Sequence, residues 1–276
     1  MNSNIFDKKN MRRLFLLTLF CLPMLPPLYA QPDSTTRLFL HLQGGVGYGL
    51  YRDLGASPLT YQGLQLHPEI SLSVQQPDWR YEAYLSATGG AYGLRLGTSY
   101  IQSYGGHPVL GFRVWRKLAT GGPIRLWLGG SVDDLFDIRY NSALGNANMA
   151  FGNFARLNLE GCVEYRLCSW LFHAKLQLNA LALVMRPGFA YIDNFDQDIS
   201  DPSVNVFDQY HTYLTPATGL ATDLGATLVL GNGNRIGLSY QWGYLSSHST
   251  ADGVTAPHVF EYADHALLVH LGFILK

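Results

Sequence analysis

Charge is scarce in this 276-residue chain. Only 14% of residues are Asp, Glu, Lys or Arg and the net charge is −1, against about 25% in ordinary soluble proteins. A near-neutral chain has no electrostatic claim on nucleic acid. Cysteine is scarcer still, at three. Cys162 and Cys168 lie six residues apart on one expected strand, about 20 Å when extended. A disulfide needs Cα atoms within about 7 Å. These two should therefore stay unpaired, and the same separation argues against a shared metal. Long apolar runs are missing except near the start. What is abundant is Gly (29) and Tyr (17), with aromatics at 13%. That mixture suits a sheet with an apolar exterior, although a Tyr-rich sandwich shares it.

The N-terminus carries an export pattern. Lys8, Lys9, Arg12 and Arg13 precede the apolar stretch "LFLLTLFCLPMLPPLYA". Pro23, Pro26 and Pro27 break it, so it is too short for a spanning helix and reads as a signal peptide over 1–30, cleaved after Ala30. Leu28 is a poorer residue than Ala three positions before such a cut. Cys21 is a weak lipid acceptor, because bulky Phe20 stands where a small residue belongs. A short segment, 31–36, would lead into a single domain over 37–276.

Strict alternation fills that domain. "RLFLHLQGGVGYGL" places Leu38, Leu40, Leu42, Val46, Tyr48 and Leu50 on one face, with Arg37, His41 and Gln43 on the other. Period-two alternation marks a β-strand with unlike faces. The pattern returns in "LQLHPEISLSV", "WRYEAYLSA", "IRLWLGGSV", "ARLNLEGCVEYRL", "FHAKLQLNALALV", "RIGLSYQWGY" and, less cleanly, "HALLVHLGFIL". Segments around 107–118 and 211–230 repeat it with defects. Ten strands result. Four gaps are short turn sequences, "QPD", "ATGGP", "CS" and "GNGN". Five are expected to be long loops, near 51–62, 89–106, 141–152, 188–210 and 246–259.

The polar face holds Arg, Glu, Lys and His, often with opposite signs as neighbours. The apolar face holds Leu and Val in mid-strand, with Tyr, Trp and Phe toward the ends. Aromatics placed so are what a membrane interface favours. The expected fold is all-β, a ten-stranded antiparallel up-and-down transmembrane β-barrel. Its alternative is a two-sheet sandwich with the Leu face turned to a dry core.

In these features the chain resembles bacterial outer-membrane β-barrel proteins over residues 37–276. The resemblance rests on the signal, the alternation, the loop asymmetry and the final strand "HALLVHLGFILK". That strand ends on Lys276, with Phe273 three residues earlier, where such barrels commonly end on an aromatic. The resemblance implies a Gram-negative outer-membrane location. It implies lipid, lipopolysaccharide and the barrel-assembly machinery as partners.

A ten-stranded bore is narrow. Its inward charges would be Arg80, Glu82, Arg113, Arg125, Arg156, Glu160, Glu164, Arg166, Lys175 and Arg235. Buried charges need partners, so these are expected to form an ion-pair network that closes the bore. Glu164 and Arg166 are expected to meet, with Lys175 as a neighbour across the strands. The resulting reading is a non-enzymatic barrel with a binding, assembly or structural role. A narrow solute channel is the alternative.

Ten-stranded barrels include the omptin proteases, which use an Asp pair and an Asp–His pair. Asp133/Asp134 and Asp264/His265 match in type but not in spacing, since adjacent strand residues point to opposite faces. "SSHST" (246–250) supplies Ser and His for a phospholipase-like site without a defining motif. The acidic loop with Asp193, Asp196, Asp198, Asp201 and Asp208 has no basic residue among them and offers oxygen ligands for Ca²⁺ or Mg²⁺. Its spacing is not that of an EF-hand. "QGGVGYG" lies inside a strand and is no phosphate loop. No cofactor site follows from the sequence.

Overall fold

The computed structural model describes residues 36–53, 57–96, 99–141, 149–187, 210–247 and 260–275. The expected signal peptide, its cleavage site, the acidic loop and residues 248–250 lie outside them. Eleven strands follow in chain order: β1 (Arg37–Asp53), β2 (Ser57–Leu66), β3 (Glu69–Gln75), β4 (Trp79–Leu96), β5 (Ser99–Gly121), β6 (Ile124–Asn141), β7 (Met149–Leu167), β8 (Trp170–Pro187), β9 (Tyr210–Val229), β10 (Arg235–Ser247) and β11 (Phe260–Ile274). Each pairs antiparallel with its neighbours, and β1 closes the ring on β11 from Phe39↔Ile274 to Asp53↔Phe260.

The ring has ten staves, because β2 and β3 are halves of one. Both pair with β1 and with β4, and the register is the same on either side of the break. Pro68 makes the break, since proline brings no N–H to a ladder. The backbone stays bonded around it, His67 N–H to Gly45 O at 3.0 Å and Ala87 N–H to Pro68 O at 2.9 Å.

Two of the five expected long loops are mostly strand. β1 runs to Asp53 and β2 starts at Ser57, while β4 runs to Leu96 and β5 starts at Ser99. The Gly-rich stretch "ATGGAYGL" does not alternate, so it reads as loop. It stays in the ladder because Gly lets the backbones close up: a Cβ on Gly90 would sit 2.0 Å from Leu64 O. Most staves therefore have 17–23 residues, whereas about 9–11 suffice to span a bilayer. The surplus carries the barrel wall beyond an apolar band on the side away from the short turns.

The faces divide as the alternation demands. Leu64, Leu66, Leu85, Leu110, Leu128, Val132, Leu159, Leu224 and Leu267 are all exposed on the outside. Near the short turns the outer face carries Trp79 stacked with Tyr81 and Trp170 stacked with Phe172. Near the other end it carries exposed Tyr104, Tyr140 and Tyr244. An apolar surface that encircles a protein and is rimmed by aromatics is a lipid-facing surface. A sandwich would have buried it. The interior instead buries Gln65, Asn158, Glu160, Glu164, Asp133, Asp137 and Arg139.

Candidate functional site: a lumen crossed by ion pairs

Alternation delivers the lumen's chemistry, since every second residue of each stave points inward. Nearest the short turns, Arg80 Nη2 on β4 reaches Glu164 Oε1 on β7 at 2.7 Å. These strands are three staves apart, so the pair spans the bore. Trp127 Nε1 donates to the other Glu164 oxygen at 3.0 Å, and the Arg80 guanidinium lies 4.7 Å from the Trp127 ring centre.

One layer up, Arg113 Nη1 donates to Glu82 Oε1 at 2.8 Å and its Nε stands 3.7 Å from Glu160 Oε1. Ser131 Oγ donates to the same Glu160 oxygen at 2.6 Å. Above that, Asp133 accepts three bonds: from Arg156 Nε at 2.6 Å, from Asn158 Nδ2 at 2.9 Å and from Tyr84 OH at 2.9 Å.

Toward the far end a fourth layer closes the bore. Asp53 accepts from Arg139 Nη2 at 2.5 Å and from Arg186 Nη2. Arg139 Nε also donates to Asp137 at 3.0 Å, and His107 Nε2 lies 3.2 Å from Asp137. Phe260 and Tyr51 pack on these guanidiniums, with Arg186 and Arg139 at 4.8 and 5.2 Å from the Phe260 ring centre. A low-dielectric interior tolerates such charges only when they are paired.

The structure thus brings Arg80, Glu82, Arg156, Glu160 and Glu164 into bonded pairs or clusters, with Arg113. Three other named residues behave differently. Arg166 is exposed beside the β7–β8 turn and reaches only Cys168 O, at 3.5 Å. It does not meet Glu164, because Glu164 is held by Arg80 across the bore. Lys175 makes no ion pair within 4 Å among the described residues; its ammonium stands 6.0 Å from the Trp115 ring centre. Arg125 is likewise in no ion pair among them.

The whole Asp53–Asp137–Arg139–Arg186 layer escaped the sequence reading. "DIR" continues the β6 alternation, so Asp137 and Arg139 were accessible to it. Arg186 was not. A register shift at Ala180 puts one extra residue in β8, and beyond it Ala182, Val184 and Arg186 face inward.

Between these layers lie two chambers of about 200 and 150 Å³. Glu69, Arg113, Lys175 and Asp223 line both, so they form the partition. On the partition Asp223 lies against His173, whose Nε2 is 3.2 Å from Asp223 Oδ1.

The hydrolase candidates separate in space. Asp133 is inside, whereas Asp134 is on the outer face and accepts from Asn153 Nδ2 at 2.6 Å. Asp264 is inside and His265 outside, between the Tyr48 and Tyr240 rings. Ser246 and Ser247 are buried, with Ser247 Oγ 2.7 Å from Tyr213 OH. Among the described residues no three His, Cys, Asp or Glu side chains are grouped as metal ligands would be. Asp193, Asp196, Asp198 and Asp201 lie outside those residues.

No protein-family model matches the chain. No curated protein does either. Among solved structures, the outer membrane protease OmpT from Escherichia coli is 8% identical, with 90% of this chain and 99% of that one covered at a TM-score of 0.47. The translocator domain of autotransporter NalP from Neisseria meningitidis is 12% identical, covering 96% and 95% at 0.44. Ail, the attachment invasion locus protein of Yersinia pestis, is 10% identical, covering 86% and 99% at 0.28. Likenesses this distant add no argument of their own. The fold is that of the bacterial outer-membrane β-barrels, on the strength of the closed ten-stave ring and its outward apolar band. No particular family within that class is identified.

Proposed function

We propose that this chain is a sealed outer-membrane barrel of a Gram-negative bacterium. Its role is structural or surface-binding, and it is exerted from the end opposite the short turns. The observation that carries the reading is the stack of lumenal bonds: Glu82–Arg113 and Asp133–Arg156 join adjacent staves, whereas Arg80–Glu164 and Asp53–Arg139 cross the bore. Arg80–Glu164, Glu82–Arg113–Glu160, Asp133–Arg156 and the Asp53 cluster follow one another up the bore. Both signs occur at each level, which suits packing better than ion selection. The exposed Leu and Val band provides the lipid contact. Lipopolysaccharide and the assembly machinery are the partners that such a location brings.

A narrow channel is the second reading. The two chambers favour it, as does the Lys175 ammonium between them, which is in no ion pair among the described residues. Single-channel recording in planar bilayers separates the two. The wild type should be silent, and Glu160→Ala should lower thermal stability in detergent without creating a current. A steady, ion-selective wild-type current that Glu160→Ala alters would replace the sealed barrel with the pore.

A further inference from the structure

Arginines crowd the mouth of the lumen at the short-turn end. Gln75, the last residue of β3, is flanked in register by Arg37 on β1 and by Arg80 on β4. Its Oε1 accepts from Arg235 Nη2 at 3.3 Å. Arg235 thus bonds a neutral amide whose in-register neighbour on β4 is Arg80. Of the carboxylates lining the chamber behind them, Glu164 has both oxygens engaged, by Arg80 and by Trp127, Glu82 is held by Arg113, and Asp223 lies against His173. Arg125 stands beside Glu164 in register on β6 yet is in no ion pair among the described residues. Arg235 has its guanidinium 4.2 Å from the Phe39 ring centre. The Nε atoms of Arg80 and Arg235 are buried without a hydrogen-bond partner.

Like charges at short range repel, and more so where walls of protein exclude water. Buried N–H donors without acceptors add to the cost. An anion removes both penalties. We propose that this mouth binds a small phosphate-class oxyanion, held by Arg80, Arg125 and Arg235. Guanidinium forks match the paired oxygens of phosphate and hold them by charge-assisted hydrogen bonds. The ligand is small because the chamber behind the mouth has only about 150 Å³ and shares Arg80 and Arg235 as lining. That is room for a phosphate group and a few waters at roughly 30 Å³ each. The site is independent of conduction, since a sealed barrel and a pore present the same mouth. Its anion can be free phosphate or the headgroup of a phospholipid in the adjoining leaflet.

The test is calorimetric titration of the full chain, folded in nonionic detergent at constant ionic strength without phosphate, using inorganic pyrophosphate. The wild type should show one saturable site. Arg235→Gln and Arg125→Gln should each weaken it at least about tenfold, the loss of a charge-assisted contact, and Arg235→Lys should recover part of it. Arg52→Gln should leave it unchanged, because Arg52 is paired with Glu261 at the opposite end. Heat-modifiable gel migration checks folding, and Arg125→Gln carries the test if Arg235→Gln does not fold. Absence of saturable binding by the wild type overturns the proposal. So does binding that survives both mouth variants. Phosphatidylglycerol added to the micelles assigns the source: competition points to a headgroup and its absence to the free ion, and either result upholds the site.

Discussion

Replacing Asp133 with Ala puts the lumen's bonding to its hardest test. The Asp133 side chain has no exposed surface, and its partner Arg156 is 14% exposed. The carboxylate serves three donors, on Arg156, Asn158 and Tyr84. Removing it strands a guanidinium in the bore, and breaking a buried pair from one side costs about 3–5 kcal/mol. The amide and the phenol also lose an acceptor, but a water in the vacated space can bond them, so they need not add. The expected loss is thus about 3–5 kcal/mol, two to four powers of ten in the unfolding equilibrium at about 1.4 kcal/mol per tenfold. With a urea slope near 2 kcal/mol per molar, the midpoint falls by about 1.5–2.5 M. The assay is reversible urea unfolding in lipid vesicles, followed by tryptophan fluorescence. Asp133→Ala combined with Arg156→Met should recover much of the loss, because no buried charge is then left alone. A single variant that costs under about 1 kcal/mol, the range of an exposed pair, would refute the buried bonding described for this layer.

The faces are checked by neighbours on β8. Leu176 is 44% exposed on the outside, and Leu176→Arg should cost roughly 2–4 kcal/mol of folding in lipid. Gln177→Arg, turned inward, should cost less, and equal losses would contradict the assigned faces. Cysteine labelling tests orientation in a Cys21→Ser background. Exposed Cys168 at the β7–β8 turn should react with an impermeant maleimide only after the outer membrane is opened, and buried Cys162 only after unfolding; Cys168 labelling on intact cells would reverse the barrel. Gly233→Ala should destabilise by about 1 kcal/mol or more in the same urea assay, because Gly233 has φ +83° and a Cβ there would stand 2.3 Å from Ile274 Cδ1.

Sequence alone determined the period and therefore the faces. Leu64 against Gln65, Ile70 against Ser71 and Leu159 against Glu160 lie outside and inside as alternation requires, because side-chain direction in a strand is a local property of the pleat. Stave count followed from the same signal, and Pro68 did not change it, since the ladder continues on either side. The partners were a different matter. Which carboxylate Arg80 meets depends on how the two intervening staves, β5 and β6, curve, and its partner Glu164 is 84 residues away in the chain. A spacing of two on one strand suggested Arg166 for Glu164 instead, but at the rim water serves Arg166 and the bore draws Glu164 across. The upper layer was hidden for two further reasons. A one-residue shift at Ala180 reverses which residues of β8 face in, and "ATGGAYGL" looked like loop because Gly carries no face to read. Pairing across a closed ring is a long-range property, so only the tertiary structure could place Arg186 on Asp53 and bring Arg235 to Gln75 beside Arg80.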